Sequence, residues 1–218
     1  MTIQQIYDLV VRMGIKADPR MDVRNGKWEM RRKKEVGSWK LKDRKNLEKN
    51  DPEALINPYS DTRILYGDPG TKVDKIMVGI DIETAEVMLA DYLNTHKRPG
   101  LSCVKGQAFQ GIDLVISHHP LGQAYASLHE VMDLQAEIFA KYGVPINIAE
   151  GVMHDRIKEV EREISPRNHF QAVDAAKLLN MPLMCAHTAC DNLVFDYLEK
   201  LYTKKHCDTV GDVMDLLL

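Results

Sequence analysis

Apolar positions first recur with helical spacing. Ile3, Ile6, Tyr7, Val10 and Val11 share one stripe across residues 2–13, with Thr2 placed as an N-cap and Gly14 as a stop. Asp18-Pro19-Arg20 then reads as a turn. Residues 27–50 are mostly charged around Trp28, Trp39 and Leu47, and predict a solvated, partly helical excursion. From residue 72 the period changes. Short β-rich runs at 73–80, 112–117, 144–148 and 182–186 predict strands. Helical spacing fills 83–94, 128–142, 155–179 with a break near Pro166, and 192–204. Residues 209–218 open another helix, with Val210, Val213, Met214 and Leu217 on one face. Strands alternating with helices of this length predict an α/β fold: three layers, with a mixed, mainly parallel sheet flanked by helices. The expected organisation is one domain over residues 1–218, interrupted by the charged insertion at 26–52.

Composition narrows the function classes. The net charge is −3, and 28% of residues are charged. The chain is therefore not a uniformly basic nucleic-acid binder. Residues 1–50 hold 14 Lys and Arg against 7 Asp and Glu, whereas the remainder holds 15 against 25. Ten of those bases lie between Lys27 and Lys49, with two tryptophans among them. That is the one stretch with a single-strand-binding character. Four interleaved acids favour a solvated helical excursion over a nucleic-acid surface. The N-terminus has no signal-peptide pattern, and no apolar run approaches the ~20 residues of a membrane span. A cytoplasmic protein with reduced cysteines is expected.

Candidate chemistry sits at strand ends. Asp113-Leu-Val-Ile-Ser117-His118-His119-Pro120 puts two adjacent histidines directly after a buried strand. Open α/β sheets bind ligands beyond the carboxyl ends of their strands. Pro120 holds His119 extended. At a strand end the alternation of side chains relaxes, so both rings can face one crevice. The alternative is a pair of hydrogen-bonded or exposed histidines. The second segment is Met184-Cys185-Ala186-His187-Thr188-Ala189-Cys190-Asp191, which follows another apolar strand onto the same edge. Asp191 is a candidate ligand for a metal shared with His118 or His119. His187 could ligate, orient a ligand or polarise a substrate. Imidazole and carboxylate together suit Zn, Fe, Mn or Ni. Cys185, His187 and Cys190 lack a second cluster at structural-zinc spacing, so Cys185 reads as a small core residue. His129, just after the His-His strand, is either a neighbour of the site or a helix-cap or surface histidine.

Together these segments resemble the Nif-three-like family, also named GTP cyclohydrolase I type 2 homologues. The resemblance rests on Ser117-His118-His119-Pro120-Leu121, and on Ala186-His187-Thr188 with Asp191 three residues on. Ile6-Tyr7-Asp8-Leu9, the stretch from Tyr59-Ser60-Asp61 to Tyr66-Gly67-Asp68, and Val78-Gly79-Ile80-Asp81 agree with the family in order. The match covers about residues 1–15 and 57–217. The resemblance implies a site for two divalent ions held by His118, His119 and Asp191, with His187 lining it in a catalytic role and Asp81 supporting it. The family completes its site with a His-x-x-x-Glu-like C-terminal helix. The last histidine here is His206 and no Glu follows it, so a shortened form is expected. The implied activity is metal-dependent hydrolysis of a nucleotide ring, phosphoester or amide bond. The alternative is a metal-binding scaffold or regulator acting through protein partners. The resemblance also implies a homo-oligomer.

Overall fold

The computed structural model of the chain describes residues 1–24, 27–30, 53, 56–96, 111–126, 128–205 and 207–217. In chain order the elements are α1 (Ile3–Ala17), β1 (Met21–Arg24), β2 (Lys27–Met30), β3 (Thr62–Tyr66), β4 (Ile76–Gly79), α2 (Thr84–Thr95) and β5 (Leu114–Ser117). There follow α3 (Gly122–Ala126), α4 (Leu128–Val131), α5 (Asp133–Lys141), α6 (Ile146–Ile164), α7 (Gln171–Leu178), β6 (Leu183–Ala186), α8 (Thr188–Lys205) and α9 (Val210–Leu217).

Among the described residues, four strands form the central sheet in the order β3-β6-β5-β4. β4, β5 and β6 run parallel, and β3 joins antiparallel at one edge. Alternation along β5 divides the core. Leu114 packs with Ile3, Ile6, Tyr7, Val11 and Met184 on the α1 side. Val115 packs with Val87, Ala90, Val173, Ala176 and Leu183 on the side of α2 and α7. Each fully buried aliphatic side chain stabilises by about 1.5–3 kcal/mol. Both cores must form for the strands to be held flat between them. The result is the expected three-layer α/β arrangement with a mixed sheet.

Local chemistry explains the element ends. Thr2 caps α1 through a reciprocal box: its hydroxyl accepts from the Gln5 amide at 3.2 Å, and the Gln5 side chain accepts from the Thr2 amide at 2.9 Å. Gly14 does not stop this helix, which continues to Ala17. It lies against α8, where a Cβ would come 2.7 Å from the Cα and Cβ of Ala189. The glycine therefore allows close helix approach. The strand expected at 144–148 is instead the entry to α6. Pro145 sits at its N-cap with φ −53°, a value already suited to starting a helix. The single helix expected at 128–142 is broken into α4 and α5. Part of the expected solvated excursion is a strand: β2 pairs antiparallel with β1, with Arg24 opposite Lys27. Residues 31–52 lie outside those described, apart from which the excursion's remaining features, Trp39 and Leu47 included, are not placed. No described helix is long and apolar enough to cross a membrane.

Candidate metal centre

The three parallel strands end at one edge, and the site is built from the residues that follow them. β5 delivers His118 and His119. Their backbone amides donate to Gly79 O and Ile80 O, each at 2.8 Å, so pairing with β4 continues past the strand end. The buried Ser117 hydroxyl donates to His119 O at 2.7 Å. This fixes a tight path in which both rings face the same space. β6 delivers His187, and the first turn of α8 brings Asp191 back over it. The ring centroids of His118 and His119 are 5.3 Å apart. That of His187 is 4.9 Å from the first and 5.7 Å from the second.

Each ring is held through Nδ1 by a different acceptor. His118 Nδ1 donates to Ala186 O at 3.2 Å, His119 Nδ1 to the Asp81 carboxylate at 2.6 Å, and His187 Nδ1 to the Asp61 carboxylate at 2.9 Å. A carbonyl or carboxylate only accepts, so Nδ1 carries the proton in every case. Each neutral ring then keeps its lone pair on Nε2. Metal-ligating histidines are anchored in this way, with the second nitrogen's partner fixing tautomer and orientation. One ligand nitrogen from each of the three rings lies within 4.8 Å of the others, a group able to hold a metal ion. Asp191 presents one oxygen 3.4 Å from His118 Nε2 and the other 3.7 Å from His187 Nε2. Nitrogen and carboxylate donors around one space fit a divalent transition ion.

Asp61 has no place among the candidate residues read from the sequence. It is fully buried. Besides holding His187, it accepts from the Thr188 hydroxyl at 2.6 Å and from the Thr188 amide at 3.3 Å. It arrives there because the β3–β6 register sets Thr62 opposite Ala186, so the residue before β3 faces the residue after β6. Tyr59-Ser60-Asp61 was visible as a motif, but only the antiparallel pairing tells that Asp61 meets His187. Burial works against a charged His187. The Asp61 hydrogen bond and charge, with the charge of Asp191, outweigh it, and the His187 pKa lies above its ordinary value.

The structure thus brings His118, His119, His187 and Asp191 together, with Asp81 behind His119. His129 lies on α4, with its Nδ1 buried and without a hydrogen-bond partner. Cys185 is fully buried, and burial pushes its thiol up to about 12. It is a core residue of β6 and no thiolate ligand. Beside the histidines a cleft of about 540 Å³ opens, lined by Asp81, His119 and His187 on one side and by Tyr125, Arg167 and His169 on the other.

Fold and site together define an α/β protein with a histidine cluster, suited to a metal ion, at its strand ends. The same kind of fold occurs in a solved structure. The chain is similar to the crystal structure of a NIF3 superfamily protein from Sphaerobacter thermophilus, with 24% identity and a TM-score of 0.56, over 72% of this chain and 53% of that one. The chain spans about half the length of that structure. No protein-family model and no curated protein matches it.

Proposed function

We propose that this chain carries the ion-holding half of a metal-dependent hydrolase, with His118, His119 and Asp191 as ligands for two divalent ions. The observation that carries the reading is the anchoring of all three rings through Nδ1, which turns their Nε2 atoms and the Asp191 carboxylate toward one space. Divalent ions held there would supply Lewis acidity, polarising a carbonyl or phosphoryl oxygen and acidifying a water molecule. The chain's own groups divide the remaining work. Asp81 and the Ala186 carbonyl keep the two ligand rings in position. His187 is the most buried of the three rings, at 22% side-chain exposure, and Asp61 favours its protonated form. That suits His187 to carry a proton on Nε2 to a leaving group. The neighbouring cleft receives the substrate and sets it against the rings.

The test is a steady-state screen of the chain loaded with Mn, Fe, Zn or Ni against nucleotide, phosphoester and amide substrates. Turnover that disappears in the His118→Ala/His119→Ala variant, and that disappears in His187→Ala with metal content unchanged, supports this assignment of roles. Metal retained without turnover on any class would leave the centre a structural or regulatory one, acting through protein partners.

A further inference from the structure

Asp191 differs from the rings it faces. Each imidazole is anchored through Nδ1. The Asp191 carboxylate, 52% exposed, meets only His118 and His187 among the described residues. Its direction is therefore set by the helix that carries it, and whatever fixes the first turn of α8 fixes the carboxylate. The tolerance is small. A side-chain tip lies about 5–6 Å from a helix axis, so a roll of about 20° carries it about 2 Å. A metal–oxygen bond is itself only about 2 Å long.

Two contacts hold that turn of α8. Both come from the turn before β3, which is closed by Thr62 N–H donating to Tyr59 O at 3.3 Å. Asp61 accepts from the Thr188 hydroxyl. Tyr59 meets Asn192: the Asn192 side-chain amide donates to the Tyr59 hydroxyl at 3.1 Å and reaches Gly14 O at 3.5 Å. Thr188 and Asn192 are four residues apart and share one helix face. Holding both opposes roll about the helix axis, and Asp191 is the residue before Asn192.

Tyr59 is fixed from behind in its turn. Its hydroxyl donates to Asp18 at 3.0 Å. Asp18 also accepts from Arg20 Nε at 3.0 Å and Nη2 at 2.8 Å, and Arg20 reaches Glu137 of α5 at 3.4 Å. Asp18, Tyr59 and Asn192 are all buried. A hydroxyl that gives its one proton to a carboxylate is left to accept from the amide, so the direction of each bond is determined.

We propose that Tyr59 is a positioning residue for the metal centre, aiming Asp191 through the Asn192 amide. The assignment rests on Asp191 being a ligand. It gives the buried Asp18–Arg20 pair a task as well, that of keeping the Tyr59 hydroxyl in place.

The test is a double-mutant cycle on the full chain, stripped of metal and titrated with cobalt(II), read by visible absorption and by competition with a chelator. Tyr59→Phe keeps the ring and removes the hydroxyl. It should weaken cobalt binding by about tenfold and change the absorption of the bound ion. In an Asp191→Ala background the same substitution should cost no further affinity, a pattern that a general loss of stability does not produce. Asn192→Ala should match Tyr59→Phe, and the two together should lose no more than either alone. If Tyr59→Phe fails to fold, Asn192→Ala takes its place in the cycle. A folded Tyr59→Phe chain with wild-type affinity and absorption, or one whose loss persists in full with Asp191→Ala, would overturn the proposal and leave the metal centre standing. A wild-type chain that binds no cobalt would overturn the metal centre itself, and this proposal with it.

Discussion

The carboxylate of Asp61 lies 2.9 Å from Nδ1 of His187, across the antiparallel seam between β3 and β6. A residue far upstream in the chain thereby sets the tautomer of a ring at the centre of the site. The same carboxylate holds the first residue of α8 through Thr188. Asp61 joins the position of the helix that carries Asp191 to the orientation of the imidazole it faces.

Replacing Asp61 should therefore damage fold and site together. Asp61→Ala leaves the His187 ring N–H and both Thr188 donors without their acceptor in a buried place. The expected cost is about 2–4 kcal/mol in denaturant unfolding, since a buried donor left unpaired costs about 1–3 kcal/mol. Asp61→Asn keeps one acceptor oxygen and should lose less stability. Both variants should also bind metal more weakly, because Asp61 fixes through Thr188 the start of the helix that carries Asp191. Metal titration of folded Asp61→Asn with wild-type affinity would show that the contact supports the fold alone.

Two glycines inside helices should respond with opposite sign to alanine. At Gly14 the added carbon would meet the Ala189 backbone at 2.7 Å, and backbone cannot swing aside. Overpacking costs about 1–3 kcal/mol, more than the roughly 1 kcal/mol that alanine adds to a helix. Gly14→Ala should lower the denaturation midpoint. Gly151, in α6, has nothing within 4 Å of its added carbon, so Gly151→Ala should raise stability by about 0.5–1 kcal/mol. Equal shifts in both variants would mean that α1 and α8 do not approach as closely as described.

Stability should fall steeply at alkaline pH. Burial pushes Cys185 from 9.0 to about 12. Burial first, and then the neighbouring carboxylates Glu53 and Asp18, push Tyr7 and Tyr59 well above the ordinary tyrosine range. For groups raised on folding, the stabilisation is complete below the unfolded-state pKa values and is lost as pH climbs toward the folded ones. The unfolded chain releases these protons from about pH 9–10, while the folded chain retains them. Each group steepens the decline by about 1.4 kcal/mol per pH unit. Urea unfolding between pH 7 and 11 should show this slope, shallower by about one proton in Cys185→Ser. A flat profile, or an unchanged slope in the variant, would show that Cys185 titrates as an exposed thiol.

Much of the fold was legible because local pattern and tertiary demand agree. The strands ending before Asp81, His118 and His187 are short apolar runs bounded by polar residues. The helices α1, α2 and α8 keep an apolar face. Where pattern is ambiguous, context decided. Val-Pro-Ile-Asn-Ile at 144–148 reads as a strand from its β-branched residues, yet Pro145 preorganises a helix start and Ala149 and Met153 find a core on α5. Gly14 looks like a stop only when Ala189 is out of view. In the site, residues sharing one short segment were within reach of the sequence: His118 with His119, and His187 with Asp191. Asp61 was not, because its role depends on an antiparallel edge strand that no local pattern announces.

The metal-to-chain ratio of purified protein, measured by elemental analysis after loading and desalting, tests the two-ion site most directly. With His118, His119 and Asp191 holding the ions, the wild type should retain about two divalent ions per chain. The His118→Ala/His119→Ala variant, still folded because both rings are partly exposed, should retain fewer than about 0.2. A wild-type chain that emerges free of Zn, Mn, Fe and Ni, or a double variant that holds as much metal as the wild type, would contradict it.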